Sequence, residues 1–328
     1  MSQETTFSEI GKIAAIERLY ENTPFKAHGD CRLYAPSGAE VLQCSKVLLE
    51  GIDFDLVYFP LKHLGYKSVL GATGELYAAM CTPQTLSVIL GVSSKLDFAQ
   101  ISELWEGIVT AAKEHSYAQV SLDLVPSNNG LSISLASTGL NTLKISRSTP
   151  ESKDLLVISG SVGAAYLGMQ VLENGRKSFE KGEQPDLEKY RMLVAAYLKP
   201  ELGCGVVDAL QDAGICPSAG VFVTHGLADA VKRITRSSGL GAKIYADKLP
   251  FEGNSFELGR ELNIDPISAA MNGGDDYRLL YAIPLAHYEK FRHDFQTFDI
   301  VGHLAQKEVG ATLVTPDGLE LPLQAQGW

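Results

Sequence analysis

QVSLDLVPSNNGLSISLAS, residues Gln119–Ser137, sets two short apolar runs, Gln119–Val125 and Leu131–Ser137, on either side of Pro126-Ser-Asn-Asn-Gly130. Proline presets one backbone angle, asparagine bonds its own main chain and glycine accepts left-handed geometry, so the intervening residues predict a chain reversal between two strands. Upstream, Phe98–His115 places Leu104, Ile108 and Ala111 on one helical face. Leu86–Val92 (LSVILGV) is branched and short enough for a strand. Before it, Leu61–Met80 carries apolar residues at helical spacing, and Glu40–Leu49 (EVLQCSKVLL) reads as one or two strands. The first half is therefore an α/β or α+β domain with about four strands.

Downstream, the polar stretch Lys144–Lys153 (KISRSTPESK) predicts a boundary, dividing the chain into residues 1–148 and 149–328. Leu155–Ser159 then reads as a strand, Gly160-Ser-Val-Gly163 as a turn, and Ala164–Leu172 as the opening of a helix. Helical patterns continue through Leu187–Leu198 and Val206–Ala213. Next come a strand (Gly220–Thr224), a helix (Leu227–Ser237), a strand (Ala242–Tyr245) and a helix near Phe256. Leu279–Ile283, Ile300–Leu304 and Ala311–Val314 are further strands, with a hairpin at Pro316-Asp317-Gly318. Met80 and Met271 sit among apolar residues and read as core.

Bulk properties exclude several classes. With 328 residues, 45% of them hydrophobic, the chain suits two soluble globular domains. It contains no apolar run of membrane-spanning length. The N-terminus lacks the basic start and apolar stretch of a secretory leader, and the five cysteines are widely scattered with no Cys-x-x-Cys pair. These features point to a reducing cytoplasm and to neither a zinc site nor a disulfide framework. A net charge of −11 without a Lys/Arg-rich run argues against nucleic acid and anionic membranes as partners, while leaving a small anionic ligand open.

Several strings, in order, resemble the thiamine-monophosphate kinase family of the aminoimidazole ribonucleotide synthetase superfamily. They are Glu50-Gly-Ile-Asp-Phe54, Leu64-Gly-Tyr-Lys67, Tyr77-Ala-Ala-Met80, Gly130-Leu-Ser-Ile133, Arg147-Ser148, Gly160-Ser-Val-Gly163, Ser238-Gly-Leu-Gly-Ala242, Asn272-Gly-Gly-Asp-Asp-Tyr277 and Gly327-Trp328. The resemblance runs essentially end to end. It implies a two-domain α/β fold whose N-terminal domain pairs with its twin into a β-barrel across a homodimer interface. It also implies ATP and Mg2+ as cofactors and phosphorylation of thiamine monophosphate as the reaction.

Phosphoryl transfer between two polyanions depends on positioning and charge neutralisation, and magnesium prefers hard oxygen ligands such as carboxylates. The resemblance assigns metal positions to Asp30, Glu75 and Asp123, and nucleotide or substrate positions to Lys46, Asp53, Arg147, Asp275 and Tyr277. Departures from the family pattern fall on this chemistry. The second acid of Gly-Asp-Asp is Cys31, and the acid of Thr-Asp is Lys46. The His of Glu-Gly-Val-His-Phe is Asp53, and both acids of Asp-x-Ser-Asp-Gly are lost in Phe222-Val-Thr-His-Gly226. On side-chain charge the pocket is roughly four units less negative than the kinase's.

Each position also has an ordinary structural reading. Asp30, Glu75 and Asp123 fit solvated or capping acids, Arg147 a surface ion pair, and Lys46 a solvent-facing replacement rather than a metal-free phosphate ligand. Gly160–Gly163 fits either an anion-binding turn or a tight turn for close packing. His225 fits a titrating group or a polar turn residue. Three functions stay open at this point. They are a non-catalytic or repurposed member binding a nucleotide, phosphorylated metabolite or partner protein; a working kinase; and a structural dimerisation partner.

Overall fold

The structure is a computed structural model that describes residues 10, 12–25, 40–141, 147–182 and 187–325. Asp30, Cys31 and Gly327-Trp328, and the start of the polar stretch at Lys144, lie outside the described residues. The chain divides into two compact units, Met1–Leu76 with Cys81–Thr142, and Tyr77–Met80 with Leu143–Trp328.

The described part of the first unit starts with helix α1 (Lys12–Tyr20) and strand β1 (Glu40–Leu49). Helix α2 (Leu61–Ala78), strand β2 (Thr82–Ser93), helix α3 (Phe98–Glu114) and strands β3 (Gln119–Ser127) and β4 (Ser132–Asn141) follow. Helix α3 begins at Asp97, whose carboxylate accepts from Gln100 N at 2.8 Å while Gln100 Oε1 accepts from Asp97 N at 3.0 Å. This reciprocal cap satisfies two otherwise orphaned donors. The sheet order is β1-β4-β2-β3, with β2 and β3 parallel across the α3 crossover and the other pairs antiparallel.

Alternation along each strand gives the sheet two unlike faces. Leu86, Val88 and Leu90 of β2 and Ile133 and Leu135 of β4 are buried, as are Leu64 and Leu70 of α2 and Leu104 and Ile108 of α3. The two helices approach closely because Gly65 and Gly107 lack side chains; a Cβ at Gly65 would lie 2.0 Å from Leu104 O. On the other face Val41, Val47, Leu49, Ile89 and Val125 remain exposed.

The second unit runs β5 (Leu155–Ser159), α4 (Ala164–Glu180), α5 (Arg191–Leu198), α6 (Val206–Asp212), β6 (Ala219–Val223), α7 (Leu227–Ser238) and β7 (Gly241–Tyr245). It continues with α8 (Ser255–Leu262), α9 (Pro266–Asn272), β8 (Arg278–Ile283), α10 (Tyr288–Asp294), β9 (Phe298–Ala305), β10 (Ala311–Val314) and β11 (Glu320–Pro322). Its seven strands are ordered β11-β10-β7-β9-β5-β8-β6. One core cluster joins Leu156 and Ile158 of β5 to Val231 and Ile234 of α7, Ile244 of β7 and Leu280 of β8. Met80 and Met271 are both buried, as expected of core methionines. The fold is the two-sheet α/β architecture that the sequence led us to expect.

Candidate functional site

In the second unit, two of the strings singled out in the sequence meet at one small pocket. Strand β6 ends at Val223, and Thr224-His225-Gly226 turns the chain into α7. Against this turn lies the loop Asn272–Tyr277, which links α9 to β8 and is pinned by main-chain bonds. Asp275 N donates to Thr224 O at 2.9 Å and Tyr277 N to Val223 O at 3.0 Å. To make both bonds, Asp275 and Tyr277 adopt left-handed backbone angles, φ 61° and 54°. Such angles cost free energy for residues bearing a side chain and persist only where surrounding contacts enforce them. The pocket has a volume of about 180 Å3 and is lined by Tyr166, Thr224, His225, Asn272 and Asp275 among others. Thr224 Oγ1 lies 3.0 Å from His225 Nδ1.

The two adjacent aspartates of this loop do different work. Asp275 is half-buried and supplies the carboxylate among the pocket's lining residues. Asp276 is buried and accepts from Gly163 N at 2.8 Å and Ala165 N at 3.3 Å. It therefore occupies the N-terminus of α4, where free N–H groups and the helix dipole favour an anion. Burial pushes its carboxyl up to about 7; the two N–H bonds and the Arg278 charge oppose that shift, and Asp275 adds to it. The N–H groups at the end of the Gly160–Gly163 turn thus meet a carboxyl, and that carboxyl is the chain's own. The same turn is also closely packed. Gly163 has φ 76°, and a Cβ there would sit 2.7 Å from Ala270 N.

Tyr277 is fully buried, its ring edge-on to Phe222 at 5.4 Å between centroids. Arg147 is exposed and does not line the pocket at Thr224 and His225. Its charge opposes the upward push of burial on the Cys216 thiol.

In the first unit, Asp53 closes the turn after β1, accepting from Leu49 N at 2.7 Å while its own N donates to Leu49 O at 2.9 Å. Lys46 and Asp123 are not brought together within this unit. Lys46, Leu135, Val88 and Leu122 are register partners on the helix-covered face, whereas Val47, Ser134, Ile89 and Asp123 are partners on the open face. The two residues stand on opposite edge strands, about 14 Å apart across the sheet at ordinary strand spacing. Glu75 of α2 is half-buried on the helix side. There burial raises the Cys44 thiol above its ordinary range, a hydrogen bond with Ser137 opposes this, and the Glu75 charge adds to it. Asp30 lies outside the described residues.

Among the described residues, no three His, Cys, Asp or Glu side chains converge as a metal site would require. Sequence reasoning found the Asn272–Tyr277 string but not the separate roles of its members. It also missed Tyr166 and Arg278. A turn with free N–H groups and an acid at the mouth of an apolar strand were both visible, but their pairing 113 positions apart was not.

No established family profile matches the chain. Among curated relatives, the thiamine-monophosphate kinase of Synechococcus elongatus is 29% identical over 291 residues, spanning 85% of this chain and 84% of that one. Among solved structures, AaThiL complexed with AMPPCP and TMP superposes with a TM-score of 0.74 at 20% identity, covering 96% of each chain. The Escherichia coli hydrogenase maturation protein HypE gives 0.72 at 15% identity, over 96% of this chain and 97% of that one.

Proposed function

The chain belongs to the thiamine-monophosphate kinase and aminoimidazole ribonucleotide synthetase-like family, and on that premise we propose that it is a phosphate-ligand-binding member whose kinase chemistry is impaired. The observation that carries this reading is the carboxylate arrangement at the Asn272–Tyr277 loop. Magnesium held between two phosphates needs hard oxygen ligands, usually one or two carboxylates with water. Here Asp275 is the carboxylate lining the pocket, and Asp276 is committed to the N–H groups of Gly163 and Ala165. At the corresponding turn of β6 stand Thr224 and His225, a hydroxyl and an imidazole. Asp275 is thus the one carboxylate this lining offers a magnesium ion, the low end of what such an ion uses, and the arrangement favours weak metal binding.

What the pocket offers instead is hydrogen-bond donation to an anion. Thr224 Oγ1 and His225 Nδ1 share a hydrogen bond whose direction follows the imidazole tautomer; in the tautomer protonated on Nε2, His225 presents a donor at an exposed position. The ligand class is a nucleotide or a phosphorylated small molecule, in keeping with the AMPPCP and TMP held by the solved relative. The protein acts in the cytoplasm. No helix among the described residues is long and apolar enough to cross a membrane, and the four described cysteines are free thiols. It works as a homodimer built on the open face of the first unit's sheet.

A coupled assay with ATP, magnesium and thiamine monophosphate should show no turnover above a no-enzyme control. ADP should raise the melting temperature equally with magnesium and with chelator, and His225→Ala should abolish the rise. Turnover that disappears in Asp275→Asn would restore the working-kinase reading. The absence of any shift with ADP would leave the scaffold reading in its place.

A further inference from the structure

The segment that forms the small pocket also faces a larger one. Residue by residue, Asp275 lines the first pocket, Asp276 caps α4, Tyr277 enters the core, and Arg278 lines a second cavity of about 430 Å3. This volume lies within the usual range of small-molecule sites. Its apolar lining comes from Phe295, Phe298, Leu279 and Val206, and Cys204 also lines it.

Arg278 is the charged group set into that apolar lining. Its Nε donates to Ser161 O and its Nη1 to Glu201 O, both at 3.1 Å. Both acceptors are neutral carbonyls, and no ion pair to a described carboxylate accompanies them. The Asp276, Glu201 and Glu252 charges act on Arg278 from further away, yet burial still pushes the guanidinium below its ordinary range. A guanidinium has five N–H donors in a planar fork, so two bonds leave donors over, and a half-buried charge such as this is favoured by a directly bonded counter-ion. Glu201 also lines the cavity but is exposed, so the charge set deepest is positive.

We propose that this cavity binds a small organic anion: a ring-sized apolar body against Phe295 and Phe298, carrying a carboxylate or phosphate that pairs with Arg278. The site is separate from the phosphate pocket at His225 and does not depend on it.

Cys204, exposed among the described residues, reports occupancy. Its alkylation by iodoacetamide, followed by peptide mass spectrometry, is measured with 3-phenylpropionate and with phenyl phosphate. Benzyl alcohol supplies the ring without charge, and inorganic phosphate the charge without the ring. Fragments of this size bind at about millimolar strength, so roughly 5 mM of a fitting anion should slow alkylation about fivefold. Whichever anion protects names the head group. Protection should vanish in Arg278→Met. It should also vanish in Thr297→Trp, where an exposed lining residue fills the cavity without touching the arginine. The proposal is overturned if neither anion protects the wild type, if benzyl alcohol protects equally, or if protection survives in Thr297→Trp.

Discussion

Asp276 is enclosed by protein, yet both of its oxygens accept backbone N–H groups, so two demands on its charge compete. Burial disfavours the ionised form, while the N–H bonds and Arg278 favour it, and burial prevails, raising the carboxyl from 3.8 to about 7. The consequence for stability follows from proton linkage. Below pH 3.8 the group is protonated in both states and its contribution is fully present. As pH rises through about 7 the folded state must ionise a buried carboxyl, and the contribution is lost. Across that window the group alone lowers stability with rising pH, by roughly 4 kcal/mol in total. Asp276→Asn cannot ionise and should lack this component. Urea unfolding of both proteins across the window gives the wild-type minus variant difference, which should fall as pH increases. A difference that stays flat with pH would show that Asp276 keeps an ordinary carboxyl in the folded protein.

The elements show why a carboxylate is held there. The β5–α4 turn, the end of α9 and the loop before β8 pack so closely that Gly163 needs both a left-handed backbone and an absent side chain. Gly163→Ala incurs the left-handed penalty and presses a Cβ against the α9 backbone, a cost of about 2–4 kcal/mol. Urea denaturation should show the loss with an unchanged slope, and an effect below about 0.5 kcal/mol would contradict the close approach. Much of this level was legible in the sequence. Strands β2 to β5 and helices α2, α3 and α7 declared themselves through apolar spacing and turn residues. Helices α9 (Pro266–Asn272) and α10 (Tyr288–Asp294) did not: they carry only Ile267 and Met271, and Tyr288 and Phe291, as large apolar residues, whereas the equally short α6 carries Val206, Val207 and Leu210. Asp265-Pro266 is nonetheless a ready helix start, with Asp265 accepting from Ile267 N and Ser268 N. The site was legible in place but not in function. The Asn272–Tyr277 string located it, whereas the division of labour between Asp275 and Asp276 depends on partners far away in the chain. Lys46 and Asp123 show the same limit, because strand register alone assigns them to opposite faces.

At the scale of the whole molecule, each unit has its own sheet and core, and the first unit's sheet has a face that its own helices do not cover. Val47 is 51% and Ile89 44% exposed there, joined through Ser134 in one cross-strand row, with Val41, Leu49 and Val125 exposed on the same face. Exposed apolar side chains of this kind, standing beside Ser134 and Asp123 on an uncovered sheet face, suit an interface, and a sheet covers such a face well by packing against another sheet. In the proposed homodimer the second sheet would come from another copy, so mass measurement by light scattering during size exclusion should give twice the protomer mass. In a two-fold contact each residue enters twice, so Val47→Asp combined with Ile89→Asp places four carboxylates in the interface. Burying even one unpartnered charge costs several kcal/mol, so dimer affinity should fall at least about 100-fold and the variant should elute as a monomer. Both substitutions lie on the exposed face, and the variant's circular dichroism and second-unit stability should match the wild type. A wild type that runs as a monomer at micromolar concentration, or a variant that stays dimeric, would mean that the two-fold contact lies elsewhere or does not form.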